Sequence, residues 1–77
     1  MSPEEWNDEM DRIWLEPEAV YWMNLLLING EVEQVLVLER ELYVANNEAT
    51  IRIGTHLKLG MGVPLAQVRS IENSRQQ

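Results

Sequence analysis

The chain has no cysteine and no phenylalanine, a single histidine, and only six basic residues among 77. The lack of cysteine excludes disulfides, zinc–thiolate sites and thiol catalysis. One histidine does not make an imidazole metal site within one chain. Thirteen acidic residues give a formal charge of −7, which is the wrong sign for a protein that binds nucleic-acid phosphates without sequence preference.

Long hydrophobic runs are also scarce. The longest uncharged stretch, residues 19–30, is shorter than the about 20 apolar residues of a membrane-spanning helix. The acidic start at residues 1–5 lacks the positive region of a signal peptide. A chain of 77 residues suits one domain. We expect a cytoplasmic protein, of cellular, viral or mobile-element origin, with a single domain over residues 1–72, a disordered tail over 73–77 and no membrane contact.

The charge is divided unevenly along the chain. Residues 1–49 contain twelve acidic and two basic side chains, whereas residues 50–77 contain one acidic and four basic side chains. This asymmetry has two interpretations. The acidic segment packs beside the basic segment within one subunit, or it faces a basic partner protein. The sequence leaves both open.

The N-terminal segment has the signals of an amphipathic helix. Ser2 is a suitable N-cap, Pro3 fits the first helical position, and Glu5 completes a capping box. Pro17 disfavours helical geometry at the residue before it. We therefore expect a helix over about residues 3–15. Its apolar stripe, which we expect to pack on a sheet, comprises Trp6, Met10, Ile13 and Trp14.

The middle of the chain is rich in strand-forming residues. Residues 19–28 fit either a strand or a buried helix. Asn29-Gly30 follows them and is typical of a type I′ hairpin turn, in which both central residues have positive φ. This favours a strand over 19–28. Residues 31–44 are then expected to form one long, bent strand, with a turn at 45–48.

The C-terminal part alternates with the period of a strand. Every second residue from 51 to 65 is apolar or threonine. Glycines at 60 and 62 predict a break near that point. Residues 64–67 suit one short helical turn. Residues 68–72 suit either a closing strand or an extension of that turn into a helix.

This order of elements resembles that of small SH3-like and Sm-like barrels, and residues 63–71 look like their closing turn and strand. The fold class we expect is α+β, mostly β. An N-terminal amphipathic helix is followed by a strongly bent antiparallel sheet over about residues 19–72. The resemblance to Sm-like proteins implies an RNA-associated function as one alternative.

Few residues suggest chemistry, and we predict no catalytic residues, no metal site and no cofactor. The lead candidate is a partner-binding surface on the polar side of the helix, formed by Glu4, Glu5, Asp8, Glu9 and Asp11. A second candidate, for an anion, consists of three basic side chains on one face of the alternating segment, namely Arg52, His56 and Lys58.

Apolar residues on both sides of the long strand suggest self-association. A sheet with two apolar faces needs another element or subunit packed on each face. A small domain without disulfides also gains stability by associating with a second copy. The helix covers one face. We expect a second subunit to cover the face with Val35 and Val37, which gives a homodimer or higher oligomer.

These features together favour a small acidic, non-catalytic protein-binding module whose partner has a basic surface. Some inhibitors from phages and mobile elements, anti-CRISPR proteins among them, present carboxylates where nucleic acid would bind. We therefore expect an inhibitor of a nucleic-acid-handling host protein as a specific form of this function. The alternatives are a binder of a small anionic ligand or nucleotide at a subunit interface, and an Sm-like RNA-associated protein. The negative charge disfavours direct nucleic-acid binding.

Overall fold

The computed structural model describes residues 1–16, 20–45, 48–52 and 62–73. The elements in these ranges are α1 (Pro3–Ile13), β1 (Val20–Leu27), β2 (Val32–Leu38), β3 (Leu42–Ala45), β4 (Glu48–Arg52), β5 (Gly62–Pro64), a 3-10 helix (Leu65–Gln67) and β6 (Val68–Asn73). The strands form two antiparallel sheets, sheet A in the order β2–β1–β6 and sheet B in the order β3–β4–β5. The α+β, mostly β class is confirmed, but the described strands do not close into one barrel.

Helix α1 begins as the sequence predicts. Ser2 Oγ accepts a hydrogen bond from the Glu5 N–H at 3.1 Å, and Glu5 Oε1 accepts one from the Ser2 N–H at 2.8 Å. These reciprocal bonds form the capping box. The acidic residues of the first turn, Glu4 and Glu5, lie at the positive end of the helix dipole.

The helix ends at Ile13 rather than at the expected residue 15. Trp14 already has extended backbone, with φ −83° and ψ 111°. Its ring packs on Tyr21 of β1 with 4.2 Å between centroids. The Tyr21 hydroxyl accepts a hydrogen bond from the Leu15 N–H at 2.8 Å. The tertiary contact with β1 therefore replaces the last helical turn.

The predicted strand is confirmed over Val20–Leu27, and β1 pairs with β2 through a hairpin. Residue 19 lies outside the described ranges. The expected turn type is wrong, because Gly30 (φ 90°) has positive φ and Asn29 does not. The Gly30 N–H donates to the Leu27 carbonyl at 3.0 Å. Asn29 Oδ1 accepts from the Glu31 N–H at 2.9 Å. The loop therefore has three residues, with glycine in the left-handed position.

The long strand expected over 31–44 is also wrong, because it breaks at Glu39 and Arg40. Both residues have positive φ, 54° and 58°, and the Glu41 N–H donates to the Leu38 carbonyl at 3.1 Å. Positive φ at both central residues is the type I′ pattern. The break sends the chain from sheet A to sheet B.

The described parts of the alternating segment form two separate strands, β4 and β5, rather than one continuous strand over residues 50–65. β4 and β5 are antiparallel, with Ile51 opposite Val63 and Arg52 opposite Gly62. Residues 53–61, including Gly60 at the predicted break, lie outside the described ranges. The short helical turn and the closing strand β6 are confirmed. Asn73, assigned to the tail, is the last residue of β6 and lies opposite Met23. The rest of the predicted tail, residues 74–77, lies outside the described ranges.

One apolar core joins α1 to both sheets. Its buried members are Trp6, Met10, Ile13, Trp14, Met23, Leu25, Leu27, Val35, Val37, Ile51, Val63, Leu65, Val68 and Ile71. Val35 and Val37 are 0% exposed in the single chain and lie in the same cluster as Trp6 and Met10. The argument that these two valines need a second subunit is therefore wrong, since α1 lies on their side of sheet A.

Candidate functional site

The acidic helix surface is the name we give to the side chains of Glu4, Glu5, Asp8, Glu9 and Asp11. Trp6 and Met10, on the opposite side of α1, are 0% exposed, so the orientation of the helix is fixed by the core. Four of the five carboxylate residues are exposed and Glu9 is half-buried. The structure thus brings all five to the outside of one anchored helix, as predicted.

The five carboxylates differ in the ion pairs and side-chain hydrogen bonds that they form with other residues of the chain. Glu9 forms an ion pair with Arg12, one helical turn later. Asp11 pairs with Arg40 at 2.5 Å, and the Arg40 guanidinium also lies 5.9 Å from the Trp14 ring centroid. Glu4 and Asp8 form no ion pair or side-chain hydrogen bond with the described residues. Negative charge is therefore least compensated at the N-terminal half of α1.

Glu5 is hydrogen-bonded to Ser2 in the capping box at the start of α1. Hydrogen bonds from the backbone and side chain of Ser2 lower the pKa of Glu5 below its ordinary value. The carboxylate therefore stays ionised to lower pH than a free glutamate. Because the residue is exposed, its second oxygen remains open to a cationic group from outside.

A shallow groove of about 330 Å³ runs between α1 and β6. It is lined by Met1, Glu5, Asp8, Glu9, Arg12, Arg69, Ser70 and Ile71. The β1–β6 register shifts at this point, because Leu26 lies opposite Ser70 and Leu27 opposite Val68. Arg69 falls in this bulge, and bulges commonly re-aim a side chain. The groove therefore combines three carboxylates with two guanidinium groups.

The groove also bears on the two interpretations of the charge asymmetry. Arg69 comes from the basic segment and borders the acidic helix surface. It forms no ion pair with the described residues. Arg52, also from the basic segment, binds Glu41 of the acidic segment. The two segments thus do meet within one subunit, but Glu4 and Asp8 stay uncompensated.

The candidate anion site is described only in part. Arg52 Nη1 donates to both carboxylate oxygens of Glu41, at 2.9 and 2.8 Å, and its guanidinium lies 5.7 Å from the Tyr43 ring centroid. The bond to Glu41 raises the pKa of Arg52. His56 and Lys58 lie outside the described residues. An external anion would have to compete with Glu41 for Arg52.

The described residues offer little for other chemistry. No group of three or more His, Asp or Glu among them is arranged to hold a metal ion. In the same ranges, no helix has the length and apolarity needed to cross a bilayer.

Sequence reasoning missed two arginines that shape this site. The Glu9–Arg12 pair was visible in the sequence as an i, i+3 spacing on a helix. Arg40 is 29 positions from Asp11, and Arg69 reaches the groove through a bulge, so no local pattern points to either. Comparison with known proteins adds no further information, since no protein family, curated protein or solved structure matches this chain.

Proposed function

We propose that this protein is a small, non-catalytic protein-binding module that uses the acidic helix surface to bind a partner with a basic surface. The supporting observation is the pair Glu4 and Asp8, two exposed carboxylates that no described group neutralises, on a helix held by a fully buried opposite face. An inhibitor that occupies the nucleic-acid site of a host protein is the specific form of this function that we favour.

The anchoring of α1 matters because rigid display lowers the entropy lost on binding. Each exposed ion pair contributes only about 0–1 kcal/mol. Useful affinity therefore needs several carboxylates acting together, and exposed charges of this kind mainly accelerate encounter. The groove beside α1 adds a place where an arginine or lysine of the partner can lie between Glu5 and Asp8.

The test compares capture of proteins from a cell lysate by the wild type and by Glu4→Gln/Asp8→Asn. These two residues hold no structural bond, so the fold should be retained, which a melting curve checks. We expect the variant to lose at least about tenfold in affinity for the captured protein once that protein is identified and purified. Nuclease treatment of the lysate should leave the wild-type capture unchanged.

The matched control is Glu16→Gln/Glu31→Gln, which removes the same charge from exposed positions outside the acidic helix surface. It should bind like the wild type. If both double variants bind equally well, the acidic helix surface is only a solvated face. If nuclease abolishes capture, the Sm-like, RNA-associated alternative becomes the better explanation.

A further inference from the structure

Sheet A has a second face, turned away from α1, which we call the outer face. Paired residues share a face, so the register of β1 with β2 and β6 assigns its members. They are Val20, Trp22, Asn24 and Leu26 of β1, Val32, Gln34, Leu36 and Leu38 of β2, and Ser70 and Glu72 of β6. None of these residues belongs to the apolar core cluster.

The outer face is largely apolar, although it lies away from α1. Val20 and Val32 are 57% and 60% exposed. They lie at opposite ends of the sheet, opposite Leu38 and Leu26. Trp22 is half-buried and stands directly opposite Leu36. Leu36 is 7% exposed, and Leu26 and Leu38 are half-buried. Apolar side chains thus extend along the whole face, with the exposed apolar area concentrated at its two ends, and exposed apolar patches mark interaction sites.

We propose that the outer face binds the outer face of a second copy of this chain, forming a back-to-back homodimer. Charge supports this occupant. Glu72 is the single charged residue among the members of the face, whereas the whole chain has a formal charge of −7. This is therefore a surface where two copies can approach with little repulsion, and it offers nothing to attract a basic partner.

The pattern of the face is also self-complementary. The polar pair Asn24–Gln34 lies in the middle, with the apolar pair Trp22–Leu36 on one side and the apolar pair Leu26–Val32 on the other. A two-fold axis through the middle row places apolar pairs against apolar pairs and amides against amides. Self-complementarity of this kind is what an isologous dimer interface requires.

The size of the face sets the strength of the dimer. Three adjacent strands of six to eight residues cover roughly 20 by 14 Å, or about 300 Å² of flat area per copy. Stable interfaces bury about 800 Å² per partner. We therefore expect a weak, concentration-dependent dimer. Because α1 lies on the other side of sheet A, the dimer leaves both acidic helix surfaces outward and free.

The test is sedimentation equilibrium of the purified full chain from about 10 µM to about 1 mM. The weight-average mass of the wild type should rise above 9.0 kDa toward twice that value. Val20→Lys/Val32→Lys should weaken dimerisation by about tenfold or more. Both changes lower the net negative charge, so an increase in overall repulsion between the two chains cannot cause the loss. The two valines are exposed, and a melting curve confirms that the variant folds.

The matched control is Leu15→Lys/Val44→Lys, which makes the same change at residues that are 74% and 73% exposed and lie off the outer face. It should dimerise at least as well as the wild type. Trp22 gives a second readout, because Trp6 and Trp14 are buried and acrylamide should quench mainly Trp22, less at high protein concentration. A wild type that stays monomeric, or a face variant that dimerises like its control, overturns the proposal.

Discussion

At the scale of single residues, the start of α1 couples helix stability to pH. The Glu5 carboxylate accepts a hydrogen bond from Ser2 only in the folded chain, which lowers the pKa of Glu5 below the ordinary value of 4.5. A lowered pKa in the folded state means that the ionised group stabilises the fold above the ordinary value. This stabilisation is lost as the pH falls through the lowered value.

We therefore predict that Glu5→Gln lowers the melting temperature at pH 7 and that this difference from the wild type shrinks as the pH falls to about 3. Thermal unfolding followed by circular dichroism at both pH values measures it. Glu4→Gln is the control, because Glu4 precedes it on the same turn and takes no part in the capping box. A difference between wild type and Glu5→Gln that is equal at both pH values would contradict the coupling.

At the scale of elements, the sequence predicted those structural features that depend only on residues close together in the chain. The capping box, strands β1 and β6 and the 3-10 turn were readable because each depends on a few adjacent residues. The break between β2 and β3 was not, since Glu39 and Arg40 are poor residues for positive φ. Arg40 is held there by Asp11 and Trp14, contacts between distant parts of the chain. The same applies to the site, where α1 was predictable and its arginine partners were not.

The break gives a prediction of its own. A left-handed conformation costs an ordinary residue about 1–2 kcal/mol, and asparagine tolerates it better. Glu39 is exposed and has no ion pair with the described residues, so Glu39→Asn should stabilise the protein by up to about 1 kcal/mol, or about 4–8 °C in melting temperature. Glu31→Asn makes the same change at an exposed residue without positive φ. A Glu39→Asn variant no more stable than Glu31→Asn would argue against strain at this corner.

At the scale of the whole molecule, the two proposed surfaces lie on opposite sides of sheet A and differ in chemistry. The acidic helix surface is charged and borders the groove with β6. The outer face is apolar and has a single carboxylate, Glu72. Binding at one surface therefore leaves the other open, and one dimer presents two acidic helix surfaces. Such bivalency raises avidity for a partner that offers two basic sites within reach.

Because one surface is charged and the other is apolar, partner binding and dimerisation should respond to salt in opposite directions. Screening shortens the Debye length from about 10 Å at 0.1 M to about 3 Å at 1 M. Two chains of charge −7 repel each other less as salt rises, so dimerisation through the nearly neutral outer face should strengthen in sodium chloride. Binding of a basic partner depends on attraction between opposite charges and should weaken. Sedimentation for the dimer and calorimetry for the partner, at about 0.05 and 0.5 M salt, measure the two constants. If both constants change in the same direction, the two surfaces are not the separate charged and apolar sites inferred from the fold.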